Sequence, residues 1–474
     1  MTVLAFAPVG FYPIALATLA VFINGVANAS PRRAFGSGYL FGLGLFGFGV
    51  SWVYVSLHDF GGMPAVLAAI ATLGFCAFLA LLPAAAAWVQ ARIPAPSWAR
   101  ACLLIPAAWT LAEWLRGWIF SGFPWLSAGY AAVGWPLQGY APVLGVFGLS
   151  FLTVALAGLV WVFYRQRKPS AVAAFIVILA LGQGLRHVEW TRPSGEPLSA
   201  ALLQGNIEQE LKFRPERYPA ILDTYARLAE GTDAKLIVLP ETAIPRFYDL
   251  IEPQYLARLE AAAQRNGGDL LLGVPYRTSR GEYFNSVLSL GTSERQAYHK
   301  VHLVPFGEFI PAGFGWVLAI LHIPLSDFSR GAFNPPPIAA AGQQIAVNVC
   351  YEDAFGDEIA RRAPAATLLV NVSNVAWFGD SLAPAQHLQI ARLRAIETGR
   401  MHLAATNTGI TAAIDRDGRV LARLAQFRED RLEVNARGYS GATPYSRFLD
   451  WPAVVVSLLL LAAFILIARR ASSR

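Results

Sequence analysis

Charge is what this chain has least of. Only 15% of its 474 residues are Asp, Glu, Lys or Arg, against about 25% in an ordinary soluble domain. Hydrophobic residues reach 55% and the mean hydropathy is +0.43, so much of the chain requires a non-aqueous surrounding. Cysteine is nearly absent too. Cys76, Cys102 and Cys350 form an odd, sparse set, which excludes a disulfide framework. The first two lie in apolar runs and read as small membrane-buried residues, leaving Cys350 as a free thiol. No His or Cys cluster has metal-ligand spacing, so neither a metal nor another cofactor is implied. Low-complexity tracts, internal repeats and a recognisable signal peptide are also missing. The net charge of +7 does not point to nucleic acid, because the basic residues flank apolar runs instead of forming a stripe.

Those runs are what the sequence does contain. Stretches long enough to cross about 30 Å of hydrocarbon occur near Phe11–Ala29, Phe35–Ser56, Met63–Gln90, Ala101–Phe120, Ala141–Tyr164, Ala171–Leu185 and Trp451–Ala468. The stretch Ala171–Leu185 is the shortest. Arg32 and Arg33, Arg92 and Arg100, Arg165 with Arg167 and Lys168, and Arg469 with Arg470 and Arg474 mark alternate connections. The positive-inside rule puts these in the cytoplasm and the long segment Arg186–Asp450 outside. With the C-terminus inside, an additional span ahead of Phe11 is expected. The expected organisation is a transmembrane domain over 1–187, an outer domain over 188–448, and a last span with a basic tail over 449–474.

The outer segment alternates short apolar strands with helical patterns. Strands are predicted at Leu198–Gln204, Leu236–Pro240, Asp269–Val274, Ser286–Leu290, Ala297–His302, Ile345–Cys350, Thr367–Val372 and Leu403–Asn407. A hairpin is predicted from Gly409–Asp415 to Val420–Leu424, around Asp417-Gly418. Helices are predicted at Glu216–Glu230, Pro253–Arg265, Phe355–Arg362 and Gln386–Arg400. The alternation predicts α/β layering, with sheet beneath helices.

Glu241, Lys300 and Cys350 each fall at the end of an apolar strand, where an α/β sheet presents its site residues. A carboxylate near a thiol can take its proton, and an ammonium stabilises both thiolate and oxyanion. Together they would make an acyl-transfer site. Taken singly, each has an ordinary reading: Cys350 as a buried core residue, Glu241 as a turn or N-cap carboxylate, Lys300 as a solvated strand end. His299 and His302 flank Lys300 without a third ligand and read as structural.

The contexts of these residues carry a resemblance. Leu239-Pro-Glu-Thr242, the stretch from Lys300 to Glu308, and Cys350-Tyr-Glu352 resemble the nitrilase superfamily. With Trp52-Val-Tyr-Val-Ser56, Glu113-Trp-Leu-Arg-Gly-Trp118, the stretch Ser121 to Leu126, Ala376-Trp-Phe-Gly379, Asn407-Thr-Gly-Ile410 and Thr443-Pro-Tyr445, the ordered set is similar to the apolipoprotein N-acyltransferase family. The resemblance spans nearly the whole chain. It implies a multi-span α-helical membrane domain joined to a nitrilase-like α-β-β-α sandwich. It also implies Glu241 as base, Lys300 as oxyanion stabiliser and Cys350 as nucleophile, with the Tyr351 amide as a second oxyanion donor. Glu308 and Glu352 match supporting acidic positions, and the alternative for both is a structural ion pair with Lys300 or Arg330. Phe123, Trp125, Asn285, Arg330, Trp377 and Phe378 are expected as substrate or lipid contacts. Two departures stand out: Phe213 where the family often has Trp, and Val375 where it often has Asp.

A phospholipid donor would explain the spans, since each acyl CH₂ costs about 0.8 kcal/mol to bring into water. The apolar segment Phe309–Pro324, with Trp316, Leu318, Ile320 and Leu321, reads either as an interfacial arm or as a core helix. The expected reaction is acyl transfer from a glycerophospholipid to a diacylated apolipoprotein at the outer face of a bacterial inner membrane, by a monomer. The competing readings are a membrane-anchored amidase using water, and a transporter or scaffold whose outer domain only binds. The scarcity of polar residues within the spans weighs against transport.

Overall fold

The structure is a computed structural model that describes residues 1–310 and 327–472. It divides into two compact units: Met1–Tyr54, Pro64–Glu189 and Arg447–Arg474 in one, Val55–Met63 and Trp190–Ser446 in the other. Most of the expected arm, including Trp316, Leu318, Ile320 and Leu321, lies outside the described residues.

The first unit is a set of apolar helices. Ala65–Arg92, Pro136–Gln166 and Trp451–Arg470 are each long and apolar enough to cross a membrane, and Pro31–Gly49 with Trp52–Phe60 forms a pair bent by 51°. Tyr12–Val26 and Pro169–Leu185 are apolar but shorter. Pro31–Gly49 lies close against Ala65–Arg92, and glycine permits the approach. A Cβ at Gly38 would sit 2.7 Å from the Pro83 carbonyl oxygen, and one at Gly42 2.7 Å from the Pro83 ring, so small residues four apart form the seam. The stretch expected to span at Ala101–Phe120 is helical from Ser97 to Arg116, with a π-helical segment over Arg100–Leu104, and then breaks, with Phe120 at φ 51°. Its Glu113 and Arg116 are buried, and both fasten the following loop. Glu113 accepts from the Ala128 amide at 2.9 Å. Arg116 donates to the Phe123 carbonyl at 2.6 Å and to Ser127 at 3.1 Å.

Among its described residues, the second unit holds twelve strands in two six-stranded sheets. The first runs β12(Asp430–Gly441), β1(Thr191–Gln204), β2(Leu236–Val238), β3(Asp269–Arg277), β4(Tyr283–Gly291), β5(Ala297–His299). The second runs β11(Val420–Arg423), β10(Ala412–Ile414), β9(His402–Thr406), β8(Leu368–Ser373), β7(Gln343–Val349), β6(Ile338–Ala340). In each sheet the central strands are parallel, β1 with β2 and β3, β7 with β8 and β9, and antiparallel strands close the edges.

Alternation along each strand decides the layering, because successive side chains point to opposite faces. Ala200, Leu202, Leu236, Val238 and Leu271 pack with Val347, Val349, Val370, Val372 and Leu403 in one core between the sheets. Their neighbours Ala201, Leu203, Ile237, Leu270 and Leu272 face the other way, onto Ile221 and Tyr225 of helix Tyr218–Glu230 and Leu259 of helix Pro253–Arg265. On the second sheet, Ala346 and Leu369 meet Ile359, and Ile414 meets Ala391 and Ala395. The unit is therefore an α-β-β-α sandwich.

Candidate active site

Three strand ends bring the reactive groups together. β2 is only three residues long, and Leu239 and Pro240 carry the chain beyond it to Glu241, where the next residue, Thr242, takes φ 49°. β5 ends at His299 and presents Lys300, whose amide donates to the Asn285 carbonyl on β4 at 2.8 Å. β7 ends at Val349, and Cys350 turns the chain at φ 53° into the short helix Cys350–Ala354. A non-glycine residue in this region stores backbone strain of about 1–3 kcal/mol. At Cys350 the turn ends the alternation of β7, in which Ile345, Val347 and Val349 face the core between the sheets.

The Lys300 ammonium is 1% exposed. Its Nζ lies 2.8 Å and 3.0 Å from the two oxygens of Glu308 and 3.5 Å from Glu241 Oε1. Burial works against its charge, but Glu308 and Glu241 outweigh that and hold it well above the ordinary lysine range. Asn285 sits between the two carboxylates, with Nδ2 donating to Glu241 at 2.6 Å and to Glu308 at 2.7 Å. Its Oδ1 is buried without a partner among the described residues. The second Glu241 oxygen accepts from the Asn374 amide at 2.7 Å. The same amide draws the Cys350 thiol down, so it acts on thiol and carboxylate alike. Burial raises the Glu241 carboxyl, yet Lys300, Asn285, the Asn374 amide and Lys212 together carry it below the usual value. Burial, then the Glu241 charge, push the Cys350 thiol well up, against the pull of Lys300. The resting pair is therefore a carboxylate and a thiol, with an ammonium fixed beside them.

Glu352 has a different character. Its Oε1 accepts from the amides of Val301 and His302 at 2.8 and 3.0 Å, and its Oε2 from the Tyr298 hydroxyl and the Val349 amide at 2.8 and 2.7 Å. It ties the backbone beyond Lys300 to the strand that delivers Cys350. Burial pushes its carboxyl up, against the pull of Arg362, Lys300 and those amides.

Models of known families and curated relatives match this chain over both units. An apolipoprotein N-acyltransferase N-terminal domain matches residues 1–159, and a carbon-nitrogen hydrolase domain matches residues 199–439. An apolipoprotein N-acyltransferase of Nitrosomonas europaea is 49% identical, covering 97% of this chain and 94% of its own. One of Methylococcus capsulatus is 45% identical, covering 95% and 91%, and one of Vibrio parahaemolyticus 38%, covering 97% and 94%. The chain belongs to the apolipoprotein N-acyltransferase family.

Within this family member, the remaining expected residues take varied places. Glu308 is paired with Lys300 and also accepts from the Val304 amide at 2.8 Å. Tyr351 packs edge-on to Phe355, which stacks on His302. Trp377 belongs to the turn Val375–Phe378 that follows Asn374, and its carbonyl accepts from Ser56 at 2.7 Å. Phe60 meets its ring edge-on, and Phe378 is half-buried on the same turn. Arg330 is exposed, over the ring of Phe309. Trp125 is buried against Trp52 and Phe123 in the helical unit, with Phe123 half-buried. His299 meets Ser286 at 2.7 Å and His302 meets Glu358 at 2.8 Å, so both imidazoles have structural partners. Among the described residues, no group of His, Cys, Asp or Glu could hold a metal.

Sequence reasoning missed Lys212, Gln209 and Asn374. Gln209 accepts from Asn374 at 2.8 Å, and Lys212 reaches the Glu241 carbonyl at 3.3 Å. A signal was available: β1 runs parallel to β2, so the segment leaving its C-terminal end at Gln204 must open at the same edge as Glu241.

Proposed function

We propose that this enzyme moves an acyl chain from a glycerophospholipid to the α-amine of a diacylglyceryl-cysteine at a lipoprotein N-terminus, in two steps through Cys350. In the first, Glu241 takes the thiol proton as sulfur attacks the ester carbonyl. The S–C bond forms, the ester C–O bond breaks, and the proton passes to the departing lysophospholipid alkoxide. In the second, the amine attacks the thioester, the N–C bond forms, the C–S bond breaks, and the amine proton travels through Glu241 to sulfur. Lys300 and the Tyr351 amide stabilise the oxyanion in both steps. A preorganised ammonium needs no reorganisation as charge develops, and its Glu308 and Glu241 contacts hold it in place.

The observation that carries this reading is that buried Lys300 contacts Glu241 at 3.5 Å while the charges of both act on the Cys350 thiol at the end of the neighbouring strand. The apolar helices, three of them long enough to span, suit a donor whose chains stay in the bilayer. The Arg-bearing loops support a periplasmic position for residues 188–448 at the inner membrane, with 1–187 and 449–474 as its transmembrane parts.

The test is mass spectrometry of Cys350 after exposure of the purified chain to phospholipid alone, followed by labelled phospholipid with a diacylated lipopeptide. An acyl adduct on Cys350 that is lost when the peptide becomes acylated is the expected result. Release of free fatty acid with no peptide acylation would replace transfer by hydrolysis, and Cys350→Ala retaining transfer would remove the thioester from the scheme.

A further inference from the structure

Lys212 is an ammonium in the reaction centre that the acyl-transfer steps leave unused. It ends the short helix Gln209–Lys212 and is 1% exposed. Its Nζ makes one contact to the Glu241 main-chain oxygen at 3.3 Å, although an ammonium carries three donors. The segment cannot swing away from the site cheaply. Gln209 is bonded to Asn374, Asn374 Oδ1 accepts from Asn407 at 3.1 Å, and Asn407 Oδ1 accepts from the Ile207 amide at 2.9 Å. These buried bonds join the loop after β1 to the ends of β8 and β9.

A lysine that served packing alone would fill the space no better than methionine, at a larger desolvation cost. The charges facing it supply a reason for its presence. Glu241 follows β2, Lys300 ends β5, Glu308 lies in the loop after it, and Cys350 and Glu352 follow β7. Glu352 is held by four donors and has its own opposing cation, Arg362. That leaves Glu241 and Glu308 as two carboxylates around Lys300, whose Nζ contacts both. With one cation, this cluster carries an excess negative charge, and Cys350 would have to ionise against it. We propose that Lys212 is an electrostatic positioning residue whose ammonium balances the second carboxylate, so that the Cys350 proton passes to Glu241 inside a neutral cluster. The assignment rests on Glu241, Lys300 and Cys350 being the reacting set.

One consequence separates charge from packing. Burial draws the Lys212 ammonium down to about 8, against the pull of Glu241 and Cys350. The wild-type cluster therefore loses this charge just above neutral pH, whereas an arginine in its place keeps it. The experiment is iodoacetamide alkylation of Cys350 in the full-length detergent-purified chain, without lipid, read by mass spectrometry from about pH 6 to about pH 9. Lys212→Met is expected to slow alkylation at neutral pH about tenfold, corresponding to one unit in the thiol pKa. Lys212→Arg is expected to stay within about threefold of wild type. The wild-type rate should bend near pH 8, a bend that Lys212→Arg lacks. If the Met variant does not melt cooperatively, Lys212→Gln replaces it. Wild-type alkylation rates in the Met or Gln variant, or an Arg variant as slow as these, overturn the proposal. Failure of phospholipid to acylate wild-type Cys350 would sink the acyl-transfer reading and leave the alkylation result standing.

Discussion

Glu352 offers a sharp test of whether this carboxylate is a brace or a participant in catalysis. Replacing it with Gln keeps the shape and removes the charge. The carboxylate accepts four hydrogen bonds, three of them from backbone amides that can only donate. A Gln oxygen satisfies the Val301 and His302 amides, but its NH₂ then faces the Val349 amide. Tyr298 can rotate its hydroxyl to accept, whereas the amide cannot. One buried donor left unpaired costs about 1–3 kcal/mol, and two bonds that lose charge assistance cost roughly 1 kcal/mol each. The sum is about 4 kcal/mol. At about 2–4 °C per kcal/mol for a domain of this size, the midpoint should fall by roughly 8–16 °C. Because the brace ends one residue from Lys300, displacement of the ammonium by about 1 Å would also lower transfer about 100-fold. Tryptophan-fluorescence melting of the full-length chain in detergent reads the first effect, and lipopeptide acylation the second. A Glu352→Gln chain that melts within about 2 °C of wild type but has lost activity would refute the brace and make Glu352 an acid in the reaction.

Asn285 holds Glu241 below its ordinary pKa with a 2.6 Å bond. As the proposed base, Glu241 works only when ionised, so activity is expected to fail as pH falls through its folded pKa. Asn285→Ala removes a donor, and the acid limb of the pH–rate profile should move to higher pH by about one unit; an unmoved limb would exclude the bridge as a cause. Glu308→Gln deprives Lys300 of its closest carboxylate and should lower transfer by about 100-fold, with substrate KM little changed, as steady-state kinetics would show. Periplasmic placement is checked by Glu294→Cys on an exposed loop, which should react with an impermeant maleimide in spheroplasts without lysis.

The central strands were readable because their constraint is local. Leu236–Val238, residues 270–274 and residues 368–370 are apolar runs buried on both faces, and an apolar run bounded by turns looks the same in any tertiary setting. Helix Pro253–Arg265 was equally plain, with apolar residues at helical spacing and Pro at its start. Of the edge strands among the described residues, β5 and β11 were readable, but β12 and β6 were not. β12, Asp430–Gly441, alternates charged and apolar residues and includes two glycines; it is a strand because β1 pairs with it from Leu198↔Ala436 to Gln204↔Asp430. β6 is three residues set by its pairing with β7. For the expected span Ala101–Phe120 only the end was not readable: Glu113 and Arg116 bind the following loop and the helix stops at Arg116.

The sequence by itself determined the family and pointed to Glu241, Lys300 and Cys350 as candidates, because strand ends and the motifs around them are contiguous. Tertiary structure decided how those residues are held. Asn285 bridges carboxylates on two different segments, Glu352 binds groups on both sheets, and Lys212 sits beside Glu241 although 28 positions separate them in the chain. Such contacts join groups remote in sequence, and their effect on charge depends on burial that no single segment can supply.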